Sequence, residues 1–242
     1  MGIIEALAGS AAGAILQRLT RGRSTRVALN VVGQPPFGRL PNYFLPGVHH
    51  PTELRGSELA GHCSDAYDDK YTDWIAKNHG APCGSTRFTI TVQCIGAANV
   101  ALVRGRISVE RLEPVFGIIV CHQSGGPIDG FHLHIDLHTK VIQCVPAESY
   151  PGHAKPIPFS FQIAPHTTEK FDVYATGGKD AVVWHLELDF IVDGKLVTKK
   201  VLQPSGEQFV TIPIDYDHAK GTFCPSDTGW IKAEPQDTGG RF

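Results

Sequence analysis

Nowhere in this chain do two of its six cysteines (Cys63, Cys83, Cys94, Cys121, Cys144, Cys224) form a C-x-x-C pair. Thiols this dispersed exclude a disulfide scaffold and have the wrong spacing for a structural zinc site. Walker and G-x-G-x-x-G signatures are also missing, so nucleotide binding has no support. No G-x-S-x-G elbow occurs, because the glycines of CHQSGG follow Ser124 rather than flank it. Cys121 ends an apolar run, a packing position rather than that of an activated thiolate. An excess of charge is lacking too: 22 basic residues face 24 acidic ones, for a net −2. No bulk basic field invites nucleic acid. There is no N-x-[ST] sequon, and Glu5 interrupts an apolar start that no cation precedes. An intracellular, reduced protein is therefore expected, cytoplasmic or peripheral to a membrane.

What is present is apolar surface and turns. Hydrophobic residues make up 42% of the 242 positions, enough for a core, while Gly 26 and Pro 17 favour many turns over long helices. The most informative stretch is FHLHIDLH. Phe131, Leu133, Ile135 and Leu137 take one set of alternate positions; His132, His134, Asp136 and His138 take the other. Period two predicts a strand with one face buried and one wet.

The chain divides into four parts. Residues 1–24 form an expected apolar helix: Ile4, Leu7, Ala11, Ile15 and Leu19 recur at helical spacing, Gly9 and Gly13 make a G-x-x-x-G, and Arg18, Arg21 and Arg23 give a basic exit. Residues 25–85 hold a strand at Thr25–Val32, a proline-rich connection and a short helix over Asp68–His79, with Gly80 at the capping position. Residues 86–213 carry the strand signals: Arg87–Ile95, Val100–Arg111, Phe116–Cys121, Phe131–His138, Pro158–Ile163, Lys170–Thr176, Ala181–Val192, Lys195–Val201 and Gln208–Ile212. Asp193-Gly194 between two of them is a hairpin signal. Residues 214–242 read as a flexible tail. The fold class expected is mainly β, an antiparallel two-sheet sandwich of immunoglobulin-like architecture with an N-terminal helix and one further short helix.

From about Trp74 to Thr211 the chain resembles a group of uncharacterised β-sandwich proteins common in actinobacteria. The resemblance lies in STRFTITVQC at 85–94, RGRISVERLEP at 104–114, FHLHIDLHTKVIQCVP at 131–146, PFSFQIAP at 158–165 and WHLELDFIVDGK at 184–195. It implies a fold and no catalytic residue. The usual counterpart of 131–138 in that group carries other polar residues where this chain has histidines.

Two constellations could carry function. His132 and His134 would stand about 6.5–7 Å apart on one strand face, within reach of one zinc or other divalent ion, with Asp136 and His138 extending the row. His185, Glu187 and Asp189 form a comparable row that could supply further ligands. Against this, both rows suit ordinary solvent faces, the reading favoured here, under which no cofactor is bound. The second constellation is the helix of residues 1–24, suited to a protein partner or self-association through the Gly9/Gly13 face, or to peripheral contact with anionic lipid. At about 17 residues before its arginines it falls short of the ~20 that span a bilayer, and Ala6 stands where a myristoylation signal wants Ser or Thr. Nucleic acid is the least favoured partner. The function expected is non-catalytic binding or assembly; the alternative is a metal-dependent enzyme or metal-binding protein using the histidine face.

Overall fold

The computed structural model describes residues 25–32, 42–63, 68–96, 99–121, 131–145 and 159–233. The protein is mainly β, with three sheets among the described residues. The first has the order β1 (Arg26–Val32), β4 (Ser85–Ile95), β10 (Thr168–Thr176), β7 (Phe131–Asp136) and β8 (Val141–Val145). The second runs β12 (Lys195–Val201), β11 (Val182–Val192), β5 (Val100–Arg111) and β9 (Phe161–Ile163), with β13 (Phe209–Thr211) also pairing β11.

These two sheets share one core, as expected for a β-sandwich. β4 buries every second residue, Phe88, Ile90, Val92 and Cys94, and β7 and β10 add Leu133, Ile135, Phe171, Val173 and Ala175. Val100, Leu102, Trp184, Leu186, Leu188 and Phe190 meet them from the second sheet. Each large aliphatic side chain withdrawn from water in this way contributes on the order of 1.5–3 kcal/mol. Trp184, the largest fully buried side chain, keeps its polar end satisfied: Nε1 donates to Thr211 Oγ1 at 2.9 Å, which lies 2.6 Å from Thr86 Oγ1. Asp193 and Gly194 close the β11–β12 hairpin with φ of 49° and 76°, the left-handed pair that a two-residue turn of this type requires.

The pairing is not wholly antiparallel. β10 runs antiparallel to β4 but parallel to β7, so the first sheet is mixed. Nor does the run at 117–121 belong to the sandwich. As β6 (Gly117–Cys121) it forms the centre of a third sheet, ordered β15 (Gly229–Lys232), β14 (Ala219–Ser226), β6, β2 (Asn42–Pro46) and β3 (Ala81–Pro82). Its wholly apolar sequence follows from burial on both faces. Ile118 and Val120 pack with Tyr43, Leu45, Tyr71, Trp74 and Ile75, while Ile119 packs with Phe44, Cys83, Ile212 and Tyr216. The latter face abuts the end of the sandwich, where Gly84 N donates to Ile212 O at 2.7 Å and Leu112 N to Ala181 O at 2.9 Å.

Two helices cover the other face, Ser57–Gly61 and Asp69–Lys77. Asp68 caps the second by accepting from Lys70 N at 2.8 Å. The left-handed residue after it is His79 (φ 56°) rather than Gly80. Gly80 is required instead by close approach, since a Cβ there would strike Ile75 Cγ2. The segment expected as a tail is likewise structured over β14 and β15. Phe223 enters the third-sheet core, and Trp230 lies 5.3 Å from the Trp74 ring with Nε1 donating to Ser57 O at 2.8 Å. Residues 234–242 lie outside the described chain.

Candidate functional site

β7 ends at Asp136, and Leu137–Lys140 form the turn into β8. The histidine row is therefore shorter than the sequence alternation implies. Leu133 and Ile135 point into the core, which sends the positions of His132, His134 and Asp136 to the outer face of the first sheet. His138 sits exposed in the turn, packed against Gly178. The backbone of His132 pairs with Val145 and Asp172; its side chain lies outside the described atoms.

The sheet register builds rows across this face. Gln143 on β8, His134 on β7, Tyr174 on β10 and Arg87 on β4 stand in line. The His134 and Tyr174 rings meet edge to face at 5.5 Å, and Arg87 Cζ lies 4.7 Å from the Tyr174 centroid. Among the described residues, buried Arg87 Nε has no hydrogen-bond partner, and the guanidinium lies against the Tyr174 ring. In the next row Thr89 Oγ1 donates to Asp172 Oδ1 at 2.5 Å, and Lys170 Nζ lies 3.3 Å from Asp172 Oδ2.

Asp136 has a structural task. Its Oδ1 accepts the backbone N–H of His138 at 2.9 Å and of Thr139 at 3.0 Å, closing the β7–β8 turn. These bonds, with the Thr139 amide foremost, hold its carboxyl below the usual carboxylate range against the opposing effect of burial. Between this turn and the aromatic row lies a half-open recess of about 370 Å³, lined by His134, Asp136, Thr139, Gln143, Tyr174 and Thr176 with Ile135 and Val141. Its wall mixes hydrogen-bonding groups with apolar surface in nearly equal parts. Rigid strands fix all of them except Thr139.

The second row, His185, Glu187 and Asp189, lies on β11 in the other sheet. Trp184, Leu186 and Leu188 of β11 share the core with Leu133 and Ile135 of β7, so that core separates the two rows and they do not converge. Among the described residues no three His, Cys, Asp or Glu side chains gather to a metal-holding group. The β11 row is instead an ion-pair network. Arg104 Nε and Nη2 both reach Asp189 Oδ2 at 2.7 Å, Arg106 Nη2 reaches Oδ1 at 3.0 Å, and Thr198 Oγ1 donates to Oδ1 at 2.7 Å. The Thr198 hydroxyl, followed by the guanidinium groups, holds the Asp189 carboxyl below its ordinary range. His185 Nδ1 meets Gln208 Nε2 at 2.9 Å, and burial, followed by Lys200, lowers its pKa.

Sequence reasoning passed over Tyr174, Arg87, Arg104 and Arg106. A usable signal existed for the last two: Arg104-x-Arg106 and Glu187-x-Asp189 repeat opposite charges at the same period, as the facing rows of one antiparallel pair should. The N-terminal constellation of Ile4, Leu7, Gly9, Ala11, Gly13, Ile15, Leu19, Arg18, Arg21 and Arg23 lies outside the described residues, as does Ser124. Among the described residues no helix is long and apolar enough to cross a membrane. No protein-family model, curated protein or solved structure matches this chain.

Proposed function

We propose that the protein is a non-catalytic binding module whose outer first-sheet face takes a hydroxyl-rich ligand, a glycan in chemical class. One observation carries this reading: in the recess beside the Gln143–His134–Tyr174–Arg87 row, Thr139, Gln143, Tyr174 and Thr176 can each donate and accept, Asp136 accepts, and Ile135 and Val141 supply apolar wall. Sugar hydroxyls likewise donate and accept, and an aromatic edge supplies apolar contact for a sugar's C–H face. Pre-formed strands keep the ordering cost of binding small. The N-terminal segment supplies assembly in this reading, through its Gly9/Gly13 face to a protein partner or second copy, or through Arg18, Arg21 and Arg23 to anionic lipid at the cytoplasmic surface. An immunoglobulin-like arrangement of the two-sheet body belongs to the same proposal, supported by strands β4 and β5 that follow one another yet lie in opposite sheets.

The test is a glycan array probed with the full chain and with Tyr174→Ala. Binding by the wild type that falls at least tenfold in the variant supports the reading. An array on which no glycan is retained refutes it.

A second reading, a divalent-metal site, is favoured by the alternation of His132 and His134 along β7. Zinc offered to the purified protein and to the His132→Ala/His134→Ala double variant separates the two. Stoichiometric zinc in the wild type alone supports the metal, and no bound zinc in either ends it.

A further inference from the structure

Cys121 and Cys224 lie side by side in the third sheet. In the parallel β6–β14 pair, Thr222 stands opposite Ile119 and Phe223 opposite Val120. The next step of that register sets Cys224 opposite Cys121. Val120 and Phe223 face the helices, so alternation sends both cysteines to the opposite face. Cys224 is the foremost influence holding the Cys121 thiol protonated, and both residues are half-buried. Adjacent strands run about 4.7–4.9 Å apart, within the roughly 4.4–6.8 Å that a disulfide spans between Cα atoms. The other thiols are engaged elsewhere. Cys83 Sγ donates to Pro213 O at 3.2 Å, Cys63 Sγ to Leu59 O at 3.3 Å, and Cys94 and Cys144 lie in the sandwich core.

We propose that Cys121 and Cys224 form an oxidisable dithiol, converted to a cross-strand disulfide by a low-molecular-weight disulfide such as oxidised glutathione. The exchange balances in two steps. One protein thiol gives up its proton and attacks a reagent sulfur; the reagent S–S bond breaks and the first small thiol leaves with a proton. The second protein thiolate then attacks the mixed disulfide on the protein's sulfur, the intramolecular S–S bond forms, and the second small thiol leaves. The protein loses two protons and two electrons, and the reagent gains both. Closing the bond ties β14, and β15 beyond it, to the centre of the third sheet. Cys224, followed by burial, holds the Cys121 thiol protonated well above the ordinary range, so exchange is slow at neutral pH and accelerates as pH rises.

The experiment treats the folded full-length chain with oxidised glutathione and maps the product by non-reducing peptide mass spectrometry. The expected result is a linked Cys121–Cys224 peptide pair, lighter by two hydrogen masses, with two of the six thiols no longer titratable and a raised thermal midpoint that dithiothreitol reverses. Cys121→Ser and Cys224→Ser should each abolish the linkage; the wild-type peptide map decides the matter even where a variant does not fold. Six thiols still titratable after treatment, a stable mixed disulfide that does not close, or a bond to Cys83 would each overturn the proposal.

Discussion

Arg104 Nε donates to Asp189 Oδ2 at 2.7 Å across the β5–β11 pair, and the carboxylate that receives it is fully buried. A buried charge persists when every lone pair has a partner, and here three side chains supply them. Asp189→Asn keeps the shape but turns an acceptor oxygen into a donor facing guanidinium and hydroxyl donors. The expected loss is about 1–3 kcal/mol of unfolding free energy, read from urea denaturation. The guanidinium groups are half-exposed, which keeps Arg104→Ala at or below the bottom of that range.

The same network sets a pH dependence. The Asp189 and Asp136 carboxyls are lowered in the folded chain, so their stabilisation is complete above the unfolded value near 4 and is lost as pH falls through the folded value. His185 is also lowered, which means protonation favours the unfolded chain, and stability declines as pH drops below about 6.5. Acid titration should therefore show an early decline that His185→Gln removes, followed by a steeper one that Asp189→Asn reduces. A His185→Gln curve superimposable on wild type between pH 7 and 5 would contradict the assignment.

Truncation after residue 213 discriminates a structural C-terminus from a passive tail. It removes Phe223 from the third-sheet core and Trp230 from its place over Gly61 and Trp74, exposing the helix-facing side of β6. The expected outcome is loss of the cooperative transition or insolubility. A truncated chain with unchanged thermal midpoint would return 214–242 to the status of a tail.

Removal of residues 1–20 addresses assembly. The described sandwich core is built from residues between Val27 and Phe209, so the shortened chain should keep the far-ultraviolet spectrum and melting behaviour of the parent. Its mass by light scattering, or its retention by anionic vesicles, should fall. Unchanged mass and unchanged vesicle retention would remove the N-terminal segment from the mechanism.

Strand identity was written in the sequence wherever one face is buried: the alternation of Phe88, Ile90, Val92 and Cys94 marks β4, and Asp193-Gly194 marks the β11–β12 hairpin. Partnership was not. Period two says which way a side chain points, not which strand lies alongside, so the parallel β7–β10 pairing left no local trace. For the same reason the His185 row looked like a neighbour of the histidine strand when the core in fact lies between them. The run at Gly117–Cys121 announced burial on both faces, but a third sheet supplies that burial, built around it from segments 42–46 and 81–82, which lie between β1 and β4, and from 219–226 and 229–232, which follow the last sandwich strand. Phe223 and Trp230 were the available hint that the largely polar stretch after 214 still contributes to a core. At the candidate site the outward position of His134 was legible. Tyr174 and Arg87 were not, because only the tertiary register brings them beside it.

The most direct measurement is a two-dimensional NMR titration of the labelled protein with a glycan selected from the array. Shifts confined to His134, Gln143, Tyr174 and Thr176, saturating with a single affinity, are the expected result. Shifts clustered on the β5–β11 face or around the third sheet, with the recess residues silent, would show that this ligand-binding account has chosen the wrong surface.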